Sequence, residues 1–229
     1  MNEKLLDQLR QLLERVAKKI NRGQYHNEPN YTAAFFGKLS GERIEAAGQY
    51  IEFKFSISDD RGPSSAEKHT GIDIGMVFKW ETEDEEKNES IPFQKAVLVQ
   101  AKNHVQELAK DKDLQEQCRK MRQITTHYIV LDCPYDCSIP NIYFSSEKEP
   151  YWNTDFSQPP INLYDYLVNY VFQCTQGDTD KNVIKGALDA QRTMWIKTNA
   201  PKLTLTPDEP NNKPKNPNSN NKTNKLRFP

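Results

Sequence analysis

Two apolar runs, "HTGIDIGMVFKW" at residues 69–80 and "KAVLVQAKNH" at residues 95–104, decide the fold of this chain. Both are rich in β-branched and aromatic residues, which is typical of buried strands. Asp73 lies inside the first run, and Gln100 and Lys102 lie near the end of the second. A buried charge without a partner is costly, so a strand that carries one usually binds something with it. These polar residues are therefore the candidate site.

The rest of the chain predicts a mixed sheet with flanking helices. The two runs are joined by the acidic connector at 81–90 and are expected to pair as antiparallel strands. Residues 49–57, "QYIEFKFSI", alternate as a half-exposed strand. Further strands are predicted in "THYIVLDC" and "NIYFSS". Helices are predicted at Leu5 to Ile20, from Glu28 to just before Gly41, at 103–124, at 161–177 and from about Val183 to Lys197.

Composition and segmentation limit the classes of function. The net charge of −1 over 229 residues offers no general polycation for nucleic acid, so phosphate contacts would need a local patch or a bound metal. The chain has no apolar stretch of about 20 residues, which predicts a cytoplasmic protein without a membrane partner. We expect an amphipathic helix at 1–22, a folded domain at 23–200 and a disordered tail rich in Asn, Pro and Lys at 201–229.

Alternation brings the polar residues of the two runs together. Gln100 and Lys102 are expected to project to one face of their strand, with Val99 and Ala101 on the other. Asp73 is expected to meet them from the neighbouring strand, with Ile72 and Ile74 together on its opposite face. An Asp with an oxygen-bearing residue and a nearby Lys suits phosphodiester hydrolysis, because oxygen atoms ligate Mg²⁺ and an ammonium can orient water.

In order and spacing these residues resemble the PD-(D/E)xK, or restriction-endonuclease-like, nucleases over roughly residues 22–150. The matching elements are Glu28 at the head of a helix, Asp73 in "TGIDIG", and "QAK" at 100–102 in place of (D/E)xK. Gln117 in "LQEQCRKM" lies on the helix that follows the core strands. Gln100 stands where the family pattern has a carboxylate, which removes one negative charge that a divalent ion would use.

The resemblance implies an α/β fold with a restriction-endonuclease-like mixed central sheet, and a Mg²⁺-dependent endonuclease that cuts DNA. It looks like the version found in prokaryotic anti-phage defence and restriction systems, and Mn²⁺ is expected to substitute for Mg²⁺. The implied metal-binding groups are Asp73, Gln100, the Ala101 carbonyl and Glu28, and the implied catalytic residues are Asp73, Gln100, Lys102 and Glu28. Gln117, Glu67 and His104 are implied as supporting or nucleic-acid-contacting residues.

Expected partners are DNA and either a second copy of the chain, paired through the N-terminal helix, or another defence protein. Each site residue also has a structural alternative. Asp73 and Lys102 can form an ion pair, Glu28 can stabilise the helix dipole, and Glu67 and Gln117 can be solvated. The rival hypotheses are a catalytically decayed nuclease-like module that binds nucleic acid or protein, and an unrelated α/β binding protein.

Overall fold

The computed structural model describes residues 1–20, 24–25, 27–58, 66–81, 83–84, 89–90, 93–103, 111–144 and 159–201. Within these ranges, strands β1 to β10 are Arg43–Ala46, Gln49–Ile57, Ile74–Trp80, Glu83–Asp84, Glu89–Ser90, Phe93–Lys102, Tyr128–Asp132, Asn141–Phe144, Ile161–Asn162 and Arg192–Thr198. Helices α1 to α6 are Glu3–Lys18, Glu28–Leu39, Ala66–Thr70, Lys112–Ile124, Leu163–Tyr166 and Lys181–Leu188. A π-helix, Leu167–Val171, continues α5.

The central sheet is mixed and has eight strands in the order β1-β2-β10-β3-β6-β7-β8-β9. Strands β3 and β6 are antiparallel, as expected, with Ile74 opposite Val99. Strand β10 runs parallel to β3, and β6 runs parallel to β7, with α4 between them in the chain. This architecture confirms the predicted α/β class with a mixed sheet flanked by helices.

Apolar side chains cover both faces of the sheet. One core joins the sheet to α1, α2 and α5, and it contains Val97, Val99 and Ala101 of β6. The other joins the sheet to α4 and α6, and it contains Ala96 and Leu98 of β6. Because successive strand residues point to opposite faces, both sides of β6 are buried, which explains its nearly continuous apolar sequence.

The C-terminal part of the chain contradicts one prediction. The helix expected from Val183 to Lys197 ends at Leu188, and Arg192–Thr198 forms β10 in the middle of the sheet. Met194 and Ile196 enter the α1/α2 core, while Trp195 packs against the other core. Alternation of this kind has the period of a strand, so packing between β2 and β3 outweighs the helical spacing of the segment.

The expected placement of Ile72 and Ile74 on one face is also wrong. Ile72 belongs to the α4/α6 core, and Ile74 belongs to the α1/α2 core. Asp73 precedes β3, which begins at Ile74. The chain therefore changes direction at Asp73, and this residue lies at the end of the sheet.

Helix α1 packs on the same core as the rest of the domain. Asn2 caps it, because its side chain accepts a hydrogen bond from the Lys4 amide at 2.9 Å. Its apolar stripe, Leu5, Leu9, Leu12, Leu13 and Val16, is at most 3% exposed. The stripe is covered within the chain and does not offer the pairing surface that the sequence suggested.

Several predictions fall wholly or partly outside the described residues. These are the domain boundary at 22–23, the first half of the helix expected at 103–124 and the tail beyond Pro201. Among the described helices, none combines the length and the apolar character needed to cross a lipid bilayer.

Candidate active site

A close approach of backbone fixes the segment that carries Asp73. Gly71 has φ 74°, and a Cβ atom there would lie 2.3 Å from the backbone oxygen of Gln117 in α4. Glycine is required here, because it adopts a positive φ without strain and has no Cβ atom to collide with the backbone of Gln117. The Asp73 amide then donates to the Val99 carbonyl at 3.0 Å, which fastens Asp73 to β6.

The carbonyl of Ala101 lies at the same end of the sheet as Asp73. Val99 O faces β3, where it accepts from Asp73, and Lys102 O faces β7, where it accepts from Cys133 N at 2.9 Å. Carbonyls alternate sides along a strand, so Ala101 O faces the β3 side. Strand β3 begins at Ile74, opposite Val99, and does not extend as far as Ala101, so this oxygen has no strand partner in the described part of the chain.

Gln100 places a side-chain oxygen in this region. The residue is 2% exposed, and its Nε2 donates to Ala101 O at 3.2 Å. Its Oε1 is buried and has no hydrogen-bond partner among the described residues. A buried acceptor without a partner is costly, so this oxygen marks a position where a donor or a cation would be stabilised.

Arg192, which the sequence did not indicate, is the direct partner of Asp73. Its Nη1 donates to Asp73 Oδ1, and the two side chains are 9% and 6% exposed. Arg192 is the first residue of β10 and lies beside Ile74 in the parallel β10–β3 register. The ion pair that was considered between Asp73 and Lys102 is thus replaced, at hydrogen-bond distance, by one with Arg192.

The charges around Asp73 act on its pKa in opposite directions. Burial has the largest effect and raises the pKa, whereas the positive charge of Arg192 lowers it. Glu67 and Glu28 also raise the pKa and Lys102 lowers it, and the net result is a pKa of about 6. Three of the predicted site residues therefore lie within electrostatic range of Asp73, although none of them is its hydrogen-bond partner in the described contacts.

A cleft of about 530 Å³ lies between α3, α4 and the end of β6. It is lined by Glu67, Lys68, Lys102, Asp113, Glu116, Gln117 and Lys120. Lys120 Nζ donates to Lys68 O at 2.6 Å and ties α4 to α3 across the cleft. Gln117 Oε1 is buried without a hydrogen-bond partner in the described residues, so the cleft wall offers a second unused acceptor.

The structure brings some predicted site residues into the cleft and leaves others apart. Lys102, Glu67 and Gln117 line it. Glu28 is the first residue of α2, and Asn27 Oδ1 accepts a hydrogen bond from the Asn30 amide at 3.0 Å. Glu28 affects the pKa of Asp73, but no described contact joins the two side chains. The alternative that Glu28 only stabilises the dipole of α2 therefore stays open. His104 lies outside the described residues.

The donor atoms suit a hard divalent cation in kind. Asp73 supplies a carboxylate, and Gln100 Oε1 and Ala101 O supply neutral oxygens. Within the described residues, no three His, Cys, Asp or Glu side chains gather closely enough to hold a metal ion. Mg²⁺ in proteins commonly uses one or two carboxylates and keeps several waters. Asp73 is hydrogen-bonded through its amide to Val99, the residue before Gln100, and Gln100 Oε1 has no partner among the described residues, so the kinds of donor atom present at this strand end suit such an ion.

Sequence reasoning missed Arg192 because it assigned the surrounding segment to a helix. The signal was the composition of "RTMWIKT", in which Thr193, Trp195, Ile196 and Thr198 are β-branched or aromatic, as is typical of a strand. A strand predicted at 192–198 would have placed Arg192 at the end of a strand, where it would have been a candidate site residue.

Comparisons with protein-family models, with curated proteins and with solved structures found no match for this chain.

Proposed function

We propose that this chain is a Mg²⁺-dependent endonuclease that hydrolyses phosphodiester bonds, with DNA as the substrate. The observation that carries the proposal is that Asp73 is hydrogen-bonded to β6 at Val99, next to Gln100 and Ala101. Gln100 Oε1 has no partner among the described residues, and Lys102 of the same strand lines a cleft. The order of β3, β6, α4 and β7 is compatible with the nuclease family that the sequence resembles. Membership of that family stays a prediction.

The cellular setting belongs to the same proposal. A nuclease of this kind would act in the cytoplasm as the effector of a prokaryotic anti-phage defence or restriction system. A single site cuts one strand at a time, so cutting both strands needs a second copy of the chain or a second event. A partner protein would supply recognition of the target.

Each residue has a role that follows from its position. Asp73, Gln100 Oε1 and Ala101 O would hold the ion, which supplies Lewis-acid stabilisation of the charge that develops on the phosphate. Lys102 lies where β6 opens into the cleft, so its ammonium can orient the attacking water. Glu67 faces the same cleft and can accept a proton from that water. Lys68 and Lys120 can contact the neighbouring phosphates.

A second function is favoured by the Asp73–Arg192 ion pair. A buried pair neutralises the one carboxylate at the centre of the site, and Gln100 stands where a second carboxylate is expected. Both features suit a nuclease-like module that has lost catalysis and binds nucleic acid or a protein. In that case the cleft binds phosphate groups without cutting them.

Incubation of the purified protein with supercoiled plasmid in Mg²⁺, in Mn²⁺ and in EDTA separates the two functions. The nuclease should nick or linearise the plasmid only with a divalent ion. Lys102→Ala should slow cleavage by about 100-fold or more, because it removes a charge that acts on the reacting phosphate. Lys38→Ala, which removes an exposed lysine of α2, is the matched control and should cut at the rate of the wild type.

Plasmid binding without cutting by the wild type in both metals would favour the binding module. Equal cleavage by the wild type and Lys102→Ala would place the catalytic centre elsewhere in the chain.

A further inference from the structure

The guanidinium of Arg192 forms an ion pair with the Asp73 carboxylate, which is the group that the proposed metal ion would bind. Arg192 Nη1 contacts Asp73 Oδ1, and both side chains are more than nine-tenths buried. A divalent ion on Asp73 would lie close to a positive charge that water screens poorly. Arg192 and the ion therefore cannot both be fully stabilised by one carboxylate.

Not every hydrogen-bond donor of Arg192 has a partner among the described residues. A guanidinium has five N–H donors, and the Nε atom of Arg192 is buried without a hydrogen-bond partner among the described residues. A buried arginine with a purely structural role would be expected to use its donors. Asp73 is the charged group that holds Arg192 in the described contacts, so loss of Asp73 to an ion would release it.

Backbone geometry places Arg192 at Asp73 in a defined position. Arg192 begins β10, and its neighbour in the parallel register is Ile74, the residue after Asp73. The next residue, Thr193, donates from Oγ1 to the Ala187 carbonyl of α6 at 3.3 Å. The start of β10 is therefore anchored, and only the Arg192 side chain has to move when Asp73 changes partner.

We propose that Arg192 is a positioning residue that competes with the divalent ion for the Asp73 carboxylate. It holds the carboxylate in place in the metal-free protein, and it weakens metal binding for as long as the ion pair persists. The inference rests on the proposed metal-dependent function. It adds that a residue of the central sheet, Arg192, lowers the affinity of the site for the metal ion.

Measurement of Mn²⁺ affinity by calorimetry or electron paramagnetic resonance tests the proposal without any need for cleavage. The wild type is compared with Arg192→Met and Arg192→Gln, which remove the charge, and with Arg192→Lys, which keeps it. Removal of Arg192 takes away a charge that lowers the pKa of Asp73, so the affinity is measured from about pH 7 to 8.5 and compared where it no longer changes with pH. Gln retains a hydrogen-bond donor for Asp73, so this variant preserves the test if the Met variant does not fold.

The neutral variants should bind Mn²⁺ about 10-fold more tightly than the wild type or better, because a repelling charge is gone. Arg192→Lys should stay close to the wild type, and Asp73→Asn should abolish binding in each background. A merely structural role for Arg192 would not produce a gain in metal affinity.

Two results overturn the inference, and they differ in what they say of the proposed function. Equal affinity in the wild type and the neutral variants, lost with Asp73→Asn, leaves the metal site in place but removes the competition. Absence of Mn²⁺ binding in every variant removes the metal-dependent function as well.

Discussion

At the scale of single residues, Asp73 experiences two opposed influences. Burial favours its neutral form, and Arg192 favours its charged form. Burial is the larger of the two, which raises the pKa to about 6. The residue is thus charged at neutral pH, where it can bind a cation, but folding is less favourable for the charged form than for the neutral one.

This raised pKa predicts a pH dependence of stability. An unfolded Asp releases its proton near pH 3.9, whereas the folded protein keeps it until about pH 6. Between these values the folded state binds more protons, so the contribution of Asp73 to the free energy of unfolding falls as pH rises, by about 3 kcal/mol in total. Asp73→Asn lacks this contribution.

Urea unfolding of the wild type and Asp73→Asn from about pH 4 to 7 measures it. The stability of the wild type relative to the variant should decrease across that range. A flat relative stability would mean that Arg192 offsets the effect of burial on the pKa, and one that rises with pH would mean that Arg192 outweighs it.

Gln100 permits a second prediction at this scale. Gln100→Glu restores the carboxylate that the family pattern expects and removes the hydrogen bond from Nε2 to Ala101 O. Without metal, the added buried charge should destabilise the protein by at least about 1–3 kcal/mol, which is the cost of an unsatisfied buried polar group and is exceeded by a charged one. Mg²⁺ should raise the melting temperature of this variant more than that of the wild type, because the ion binds the folded state more tightly. An equal Mg²⁺ effect on both proteins would contradict a metal site at Gln100.

At the scale of elements, Gly75 sets how closely α6 approaches the sheet. A Cβ atom at Gly75 of β3 would lie 1.8 Å from the backbone oxygen of Ala187 in α6. Helix α6 leads through a short loop to β10 and thus to Arg192. The absence of a side chain at Gly75 therefore helps to bring Arg192 to Asp73.

Gly75→Ala should lower the free energy of unfolding by about 2–3 kcal/mol or more, because backbone on both sides of the contact would have to move. The matched control is Gly37→Ala in α2, where a Cβ atom meets nothing within 4 Å. Gly37 is an exposed helical position, so Gly37→Ala should raise the free energy of unfolding by up to about 1 kcal/mol. Denaturant unfolding of both variants checks the pair, and a neutral Gly75→Ala would contradict the close α6 approach.

At the scale of the whole molecule, α1 and the sheet share one hydrophobic core, so we expect them to unfold together. Leu9 is fully buried in the core that also contains residues of β3, β6 and β10. Leu9→Ala should therefore lower the stability of the entire domain by about 2–5 kcal/mol. Leu6→Ala, the same change at a half-buried position of α1, should cost less.

Circular dichroism and tryptophan fluorescence should report the same single transition for Leu9→Ala. Separate transitions, or loss of helix alone, would show that the N-terminal helix is an independent unit.

The class of the fold and most of its elements could be predicted from the sequence. The period-2 pattern at residues 49–57 matches β2, and the two apolar runs match β3 and β6. The spacing of leucines matches α1. Such patterns are local, because a residue repeats its burial with the period of its own helix or strand. Asp73, Gln100 and Lys102 were found for the same reason, as polar breaks in apolar strands.

The group that neutralises Asp73 could not be predicted from the sequence, because it depends on the order of the strands in the folded sheet. Arg192 lies 119 residues away in the sequence, and it reaches Asp73 because β10 inserts between β2 and β3. Strand order depends on the packing of two whole sheet faces, and no local period records it. The turn at Asp73, which sends Ile72 and Ile74 into different cores, likewise results from the contact of Gly71 with α4. Long-range packing thus fixed the charge balance of the candidate site, while local pattern had identified most of its residues.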